Sequence, residues 1–259
     1  MPDDHHLGRS DSAAPKIRRS LKSAEIVALE IVRDIVARSL RAGDRLPPES
    51  EMVSQYGFSR PTIREGLRLL EFQGLISIRP GPGAGTVVGK VQTEKLAQTL
   101  TLYLHLAEAT YQELIEAWAH AEGVMAERAA LHKDRKLVRE LMEPFLEGDQ
   151  CCLGDLRSRQ LGRQFHANIE QLAANRVLSL SFRATVAIAA QYVMINIPGD
   201  MPDDLIDDHT KIARAIIAGD PAESRRLMQD HIGHIDKRFK RLWPGKVGER
   251  LTWQVSNGF

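Results

Sequence analysis

Apolar residues recur every three or four positions along most of the chain, and this spacing predicts amphipathic α-helices. In the first third, the pattern predicts a helix over residues 24–40 that Gly43 ends, and a short second helix over residues 49–55. A third helix follows, capped by Ser59 and ended by Gly74. Its predicted apolar positions are Ile63, Leu67, Leu70 and Phe72. The chain therefore opens with three helices in succession.

The pattern then changes to two short apolar runs, residues 75–78 and 86–88, separated by a tip rich in glycine and proline. A strand, a tip and a second strand predict a β-hairpin. Beyond Gln92 only helical patterns follow. They cover residues 93–108, 111–132, 134–151, 154–174, 176–196, 203–218 and 221–242. Because the connections between them are short, antiparallel neighbours and hence a helical bundle are expected.

These elements predict a mainly α protein with two domains. Three helices and a hairpin occupy residues 21–90, and an antiparallel all-α bundle occupies residues 93–243. Residues 1–20 are polar and charged, which is typical of a disordered arm, and residues 244–259 are expected to form a loose tail.

The charges of the chain nearly balance, with a formal net charge of +1, but their distribution is uneven. Residues 1–90 hold 14 Lys and Arg against 11 Asp and Glu, an excess that favours an anionic partner for this part. The cysteines, Cys151 and Cys152, are neighbours that cannot staple distant segments, which favours a reducing compartment. The chain has neither an apolar run long enough for a membrane span nor the pattern of a signal peptide. We therefore expect a cytoplasmic protein without a membrane partner.

Three helices, a tight turn at Gly57 and a hairpin form the layout of a winged helix-turn-helix, whose third helix enters the major groove of DNA. At the start of this helix, Arg60 and Arg64 are four residues apart and share one face. Arginine can bind guanine or phosphate through two parallel hydrogen bonds. Ser59 and Thr62 add hydroxyls near the helix N-terminus, where phosphate is favoured. The sequence therefore predicts a DNA-binding helix.

Three segments of this domain, Leu46–Glu49, Tyr56–Leu70 and Gly74–Ile76, resemble the N-terminal domain of GntR-type regulators. The helical remainder resembles the FCD effector domain of the FadR subfamily, so the resemblance covers residues 23–242. It implies a homodimer on a palindromic operator in double-stranded DNA, with an affinity that a small-molecule effector tunes. Repression is the default expectation. The implied DNA contacts are Ser50, Ser59, Arg60, Thr62, Arg64, Arg68, Arg79 and, in the wing at the minor groove, Gly83.

Ser50 is a departure from this family, whose members usually carry an arginine between the two acids of the second helix. One DNA-contacting arginine is therefore missing, and the operator sequence or the affinity should differ from those of relatives.

His166, His209 and His231 lie in segments that resemble the metal-site segments of FCD domains. The resemblance implies that three histidines and one aspartate converge on a divalent ion, and imidazole ligands suit zinc or nickel. The aspartate is expected four residues before the first histidine, where this chain has Gly162. Asp155 cannot replace it, because the intervening stretch of helix spans about 16 Å. Two alternatives stay open: the histidines hold a metal ion, or they bind the effector directly.

The predicted effector site departs from the family at Trp118, where many FCD domains carry an arginine that binds a carboxylate ligand. The change removes a charge-assisted pair and adds apolar area, which favours a bulkier or more apolar effector. Arg159 or Arg163 could supply the missing cation, and Glu122 and Asn168 complete the candidate effector-binding residues. Alternatively, Trp118 only fills the core.

The other histidines are assigned lesser roles. His234 is a further candidate ligand because it follows His231 by about one turn. His105, His120 and His132 are expected to be structural or solvated.

The histidines also permit a rival function, an enzyme in which a metal ion held by three histidines activates water. Against it, no general base is evident, because Asp208 and Asp230 each adjoin a ligand histidine and are expected on another face of the helix. A second rival, an architectural DNA-binding protein without an effector, predicts a filled bundle interior. The combined pattern favours an effector-responsive regulator of transcription.

Overall fold

The structure is a computed structural model. It describes residues 22–79, 85–90, 92–146, 156–192 and 203–252, without the side chains of 156–159, 190–192 and 203–206. The predicted N-terminal arm, Gly83, the cysteine pair and the side chain of Arg159 lie outside the described residues. The chain divides into two compact units, Met1–Gln92 and Thr93–Phe259.

The first unit contains three helices and a two-stranded sheet in its described part. Its elements are α1 (Ser23–Ala37), α2 (Glu49–Tyr56), α3 (Arg60–Phe72), β1 (Ile76–Arg79) and β2 (Gly85–Val88). The strands are antiparallel, with Ile76 opposite Val88 and Arg79 opposite Gly85. α3 packs against α1, α2 and β1, and their apolar faces enclose one core. This arrangement confirms the predicted winged helix-turn-helix fold.

The end of α1 differs from the prediction, because Gly43 does not end the helix. The helix stops at Ala37, and Ser39 adopts the left-handed conformation with a φ of 53°. The amide of Leu40 then donates to the carbonyl of Ile35 at 2.9 Å, as in a Schellman motif, and Leu40 packs against the core. The burial of Leu40 therefore favours this earlier end, and Gly43 belongs to the following turn.

Phe72 is not a core residue, contrary to the prediction. Its side chain is 77% exposed, whereas Ile63, Leu67 and Leu70 are buried. Phe72 follows Leu70 by two residues, which rotates it by about 200° around the helix axis and away from the core.

The second unit is helical, as predicted for the effector bundle. Its helices are α4 (Thr93–Leu106), α5 (Tyr111–Ala130), α6 (Arg135–Met142), α7 (Leu156–Ala173), α8 (Arg176–Tyr192), α9 (Asp203–Ala218) and α10 (Pro221–Leu242). α5 packs along α10 and also contacts α7, α8 and α9, so it is the central helix of this unit. In the part of the chain that the structure describes, we find no helix with the length and apolarity to cross a membrane.

The helix predicted over residues 134–151 is shorter in the structure. α6 ends at Met142 and continues into a 3-10 turn over Glu143–Phe145. Pro144 lies in this turn, and proline has no amide hydrogen to extend the helical hydrogen bonding. The proline therefore ends the α-helix.

Residues 244–252 are not the loose tail that the sequence predicted. Leu251 is fully buried, and its amide donates to the carbonyl of Ala109 at 2.7 Å. The amide of Tyr111 donates to the carbonyl of Glu249, and His105 Nδ1 lies 2.8 Å from the carbonyl oxygen of Leu251. An apolar anchor and backbone hydrogen bonds thus hold this segment against the connection between α4 and α5.

Candidate DNA-binding helix and metal site

Local interactions set the start and the orientation of α3. The Ser59 hydroxyl accepts the Thr62 amide at 3.5 Å and lies 2.9 Å from the Thr62 hydroxyl, and Pro61 occupies the first turn. Ile63 and Leu67 are buried in the core. The opposite side of α3 therefore faces outward.

This outward side carries an arginine face that consists of Arg60, Arg64 and Arg68, all exposed. Arg64 donates its Nε hydrogen to both carboxylate oxygens of Glu49 at the start of α2, at 2.9 and 3.2 Å. Ser50 is exposed beside Glu49, and Arg79 is exposed at the end of β1. The predicted contact residues that the structure describes thus lie on the outside of the first unit, except Thr62, which is half-buried.

In the second unit, the three predicted histidines converge from three helices. His166 lies on α7, His209 on α9 and His231 on α10, and one nitrogen of each ring lies within 4.8 Å of the others. The Nε2 atoms of His209 and His231 are 3.3 Å apart. His209 and His231 are buried and His166 is half-buried, so the group, termed here the histidine cluster, lies in the interior of the unit.

The interior position favours the neutral form of His209 and His231. Burial lowers the pKa of His209 well below its ordinary value, and the neighbouring His231 and His166 add to the effect. Burial also lowers the pKa of His231, although Asp208 and Glu122 act in the opposite direction. Neutral imidazole is the form that binds a metal ion.

The sequence predicted that Asp208 points away from the ligand histidines, but in the structure Asp208 contacts two histidines of α10. Its Oδ2 atom lies 2.7 Å from Nδ1 of His234 and 3.5 Å from Nδ1 of His231, both on α10. Burial by itself would raise the pKa of Asp208, but the two histidines lower it below its ordinary value. The prediction considered only the neighbour of Asp208 in sequence, His209, and therefore missed a contact between helices. Asp230 instead pairs with Arg226 on an exposed surface.

Glu122 also reaches the histidine cluster. Its side chain is 1% exposed, and its Oε1 atom lies 2.7 Å from Nδ1 of His166. The same Oε1 atom accepts the indole N–H of Trp118 at 3.3 Å, whereas Oε2 has no hydrogen-bond partner among the described residues. Nδ1 of His166 and of His231 are likewise buried without a well-aligned partner. One ring nitrogen from each of His166, His209 and His231 lies within 4.8 Å of the others, and such a set of imidazoles fits a divalent ion such as zinc or nickel.

The profile of the bacterial regulatory proteins of the gntR family matches residues 23–88, and the profile of the FCD domain matches residues 113–234. The chain belongs to the GntR family and carries an FCD effector domain. It is therefore a DNA-binding regulator of transcription and not an enzyme. The resemblance inferred from the sequence motifs is thereby confirmed.

Curated GntR-family relatives match most of the chain. The Uxu operon transcriptional regulator of Escherichia coli K12 is 26% identical over 219 residues, which cover 80% of this chain and 83% of the relative. The Glc operon transcriptional activator of the same strain is 25% identical over 226 residues, 82% of this chain and 87% of the relative. A solved structure of a Streptococcus agalactiae GntR protein matches with a TM-score of 0.59 and 22% identity, over 83% of this chain and 99% of that chain, which supports the fold.

In this FCD domain, the other candidate effector residues that the structure describes make contacts within the unit or are exposed, and their roles in effector binding stay predictions. Trp118 is buried among the core residues, and its indole N–H donates to Oε1 of Glu122. The amide of Asn168 donates to the carbonyl of Leu141 and accepts from Gln164, and thereby ties α7 to α6. Arg163 is exposed, and its role in effector binding stays a prediction.

Proposed function

We propose that this GntR-family protein acts as a homodimer that binds a palindromic operator through α3, under the control of an effector and a divalent metal ion. The observation that carries the proposal is the histidine cluster buried inside the FCD domain. The three imidazoles meet in the interior, where polar side chains cost stability unless they are bound, and a metal ion would bind all three.

The DNA part of the proposal assigns the arginine face to the major groove. Arg60 and Arg64 bind guanine or phosphate, Ser59 and Thr62 bind phosphate at the helix start, and Arg68 extends the basic surface. Ser50, Arg79 and the wing residue Gly83 contribute at the edges of the interface. Because the affinity comes largely from phosphate contacts, it falls steeply with salt concentration. A symmetric dimer places two such helices about one turn of DNA apart.

The effector part assigns His166, His209 and His231 to the metal ion. When bound, a zinc or nickel ion would supply a Lewis-acidic centre for an oxygen atom of the effector. The three imidazoles orient this centre, and the surrounding burial excludes bulk water. Trp118 offers an apolar wall in place of a charged clamp, so we propose an effector more apolar than a simple organic acid. Arg159 and Arg163 remain candidates for a carboxylate partner.

Effector binding would act by changing the relative populations of dimer states with different half-site spacing. We propose repression as the outcome, because a dimer that covers a promoter blocks transcription without further contacts. One relative is named an activator. An in vitro transcription assay with the operator decides between repression and activation.

Two measurements test the proposal. Gel retardation with DNA from upstream of the protein's own coding sequence should give a specific complex, and unrelated DNA of equal length should not compete. Elemental analysis of the purified protein should give about one zinc or nickel ion per chain. A protein that stays free of metal after incubation with either ion, yet binds an effector, would favour direct binding by the histidines.

A further inference from the structure

We propose that Asp208 is a positioning residue of the metal site, which holds the ring of His231 so that its Nε2 atom faces the ion. This role rests on the proposed metal binding and places a carboxylate of α9 behind a ligand of α10. Asp208 thereby gains a function beyond the three histidines that the sequence motifs indicate.

The ring of His231 presents its Nε2 atom to another ligand. This atom lies 3.3 Å from Nε2 of His209. Two nitrogen ligands of one tetrahedral zinc ion, each about 2.0–2.1 Å from the metal, are roughly 3.3–3.4 Å apart, so the two rings are spaced as ligands of one ion. Nδ1 of His231, on the other side of the ring, then points away from the ion.

The proton of His231 belongs on Nδ1 when Nε2 binds a metal ion. A neutral imidazole carries one N–H, and the nitrogen that binds the metal must offer its lone pair. Nδ1 of His231 is buried, and a buried N–H costs stability unless an acceptor takes it. Ligand histidines usually donate this second N–H to a carboxylate, a backbone carbonyl or water.

Asp208 is the carboxylate that faces this nitrogen. Its Oδ2 atom lies 3.5 Å from Nδ1 of His231, and its side chain is only 10% exposed. The separation is slightly longer than a typical hydrogen bond, and a shift of about 0.5 Å in the ring or the carboxylate would close it. A hydrogen bond to a carboxylate is charge-assisted and would fix both the proton and the orientation of the ring.

Asp208 is itself held by a second histidine. Its Oδ2 atom lies 2.7 Å from Nδ1 of His234, which follows His231 by about one turn of α10. The sequence made His234 a further candidate ligand, but in the described part of the chain it is not among the residues placed to hold one ion. Its side chain is 37% exposed. His234 therefore anchors the carboxylate from the outer side, and Asp208 connects this anchor to His231.

The test compares the wild-type chain with Asp208→Ala, which removes the acceptor, and Asp208→Asn, which keeps an acceptor oxygen without the charge. Asp230→Ala is the matched control. Asp230 directly precedes His231, just as Asp208 precedes His209, but it pairs with Arg226 on an exposed surface.

Three measurements are made on these proteins. Zinc affinity is obtained by competition with a chromophoric chelator, and absorption spectra of the cobalt(II)-loaded proteins report the set of ligands. NMR spectra of zinc-loaded protein that contains ¹⁵N-labelled histidine report the Nδ1–H proton of His231.

We expect Asp208→Ala to bind zinc about tenfold to a hundredfold more weakly than the wild type, and Asp208→Asn to lie between them. The cobalt(II) bands should stay the same, because no ligand is lost. The Nδ1–H signal of His231 should move upfield in Asp208→Ala, because the charge-assisted hydrogen bond is gone. Asp230→Ala should match the wild type in all three measurements.

The other outcomes overturn the proposal at different points. Equal zinc affinities of Asp208→Ala and Asp230→Ala would overturn the role of Asp208 and leave the histidine site intact. Weaker binding with altered cobalt(II) bands, or with an unchanged Nδ1–H signal, would overturn positioning through His231. Failure of the wild type to bind zinc, nickel or cobalt would overturn the metal site itself.

A crystal structure of the zinc-loaded wild-type chain tests the same inference without a variant, should Asp208→Ala fail to fold. A separation of about 2.7–3.2 Å between a carboxylate oxygen of Asp208 and Nδ1 of His231, with Nε2 on the ion, supports positioning. A separation of more than about 3.5 Å, or a bond from Nδ1 to the ion, overturns it.

Discussion

Arg64 and Glu49 form an exposed ion pair that joins the DNA-reading helix α3 to the start of α2. The Arg64 side chain is 60% exposed and that of Glu49 36% exposed. Solvent screens such a pair, which contributes about 0–1 kcal/mol to stability. The guanidinium can therefore exchange Glu49 for a phosphate or a guanine at low cost, and Glu49 holds it near the surface that faces DNA.

We expect Arg64→Ala to weaken specific operator binding by about 1–3 kcal/mol. The variant loses the Arg64 contact and leaves the charge of Glu49 unpaired beside the phosphates. Fluorescence anisotropy at several salt concentrations measures the effect. Arg226→Ala is the control, since Arg226 is an exposed arginine with acidic partners in the other unit. Equal operator affinities of Arg64→Ala and Arg226→Ala would show that Arg64 does not contact DNA.

Zinc or nickel should raise the thermal stability of the wild type. A ligand at a hundred times its dissociation constant adds about 2.7 kcal/mol, which corresponds to a shift of roughly 5–10 °C for a domain of this size. His209→Ala should lose the shift. His120→Ala should keep it, because His120 is exposed and contacts the carbonyl of Glu116 on its own helix. Differential scanning fluorimetry with and without metal measures these shifts in melting temperature. If His209→Ala kept the full shift, metal binding by the histidine cluster would be contradicted.

Gly66 is placed where α1 and α3 approach closely. A Cβ atom there would lie 2.6 Å from Cγ1 of Val27. Alanine favours a helix over glycine by about 1 kcal/mol, but overpacking costs about 1–3 kcal/mol, so we expect Gly66→Ala to destabilise the first unit. Gly233→Ala should instead stabilise the protein, because a Cβ atom on Gly233 of α10 meets open space.

Denaturant unfolding measures both glycine variants. The combination of Gly66→Ala with Val27→Ala should be less unstable than the sum of the single changes, since the smaller side chain relieves the clash. If Gly66→Ala by itself stabilised the protein, α1 and α3 could move apart without a loss of stability.

Tyr56 should make the stability of the first unit fall at alkaline pH. Its hydroxyl donates to Oδ2 of Asp34 at 2.7 Å, and burial together with this bond raises the pKa of Tyr56 well above its ordinary value of 10.0. The unfolded chain then loses this proton at lower pH than the folded chain, so the free energy of unfolding declines as pH rises through about 10.

Tyr56→Phe tests this prediction. It should cost about 1 kcal/mol at pH 8 and reduce the decline between pH 8 and 11. Tyr103→Phe, at a residue that is 66% exposed, should behave as the wild type. Urea titrations at each pH provide the measurement, and parallel pH profiles for wild type and Tyr56→Phe would contradict it.

Leu251 should act as an anchor of the second unit. Leu251→Ala leaves a cavity in the core and should cost about 2–5 kcal/mol. Leu131→Ala, at a position that is 61% exposed, should cost much less. Thermal unfolding followed by circular dichroism compares the two, and equal costs would mean that the C-terminal segment does not support the fold.

The sequence by itself determined the winged helix-turn-helix and its arginine face. Ile63, Leu67 and Leu70 recur at helical spacing, so their burial alone turns Arg64 outward. The cap at Ser59 depends on residues within one turn. Such features follow from near neighbours, and a single sequence contains them in full.

Only the tertiary structure decided the surroundings of the three histidines and the ends of some segments. Glu122 meets His166, and Asp208 meets His234, across pairs of packed helices. Leu251 finds its buried place beside Ala109 in the same way. Each contact joins residues far apart in the chain, and it forms because whole helix faces fit together. No local period or motif records that fit, because it depends on the shapes of several elements at once.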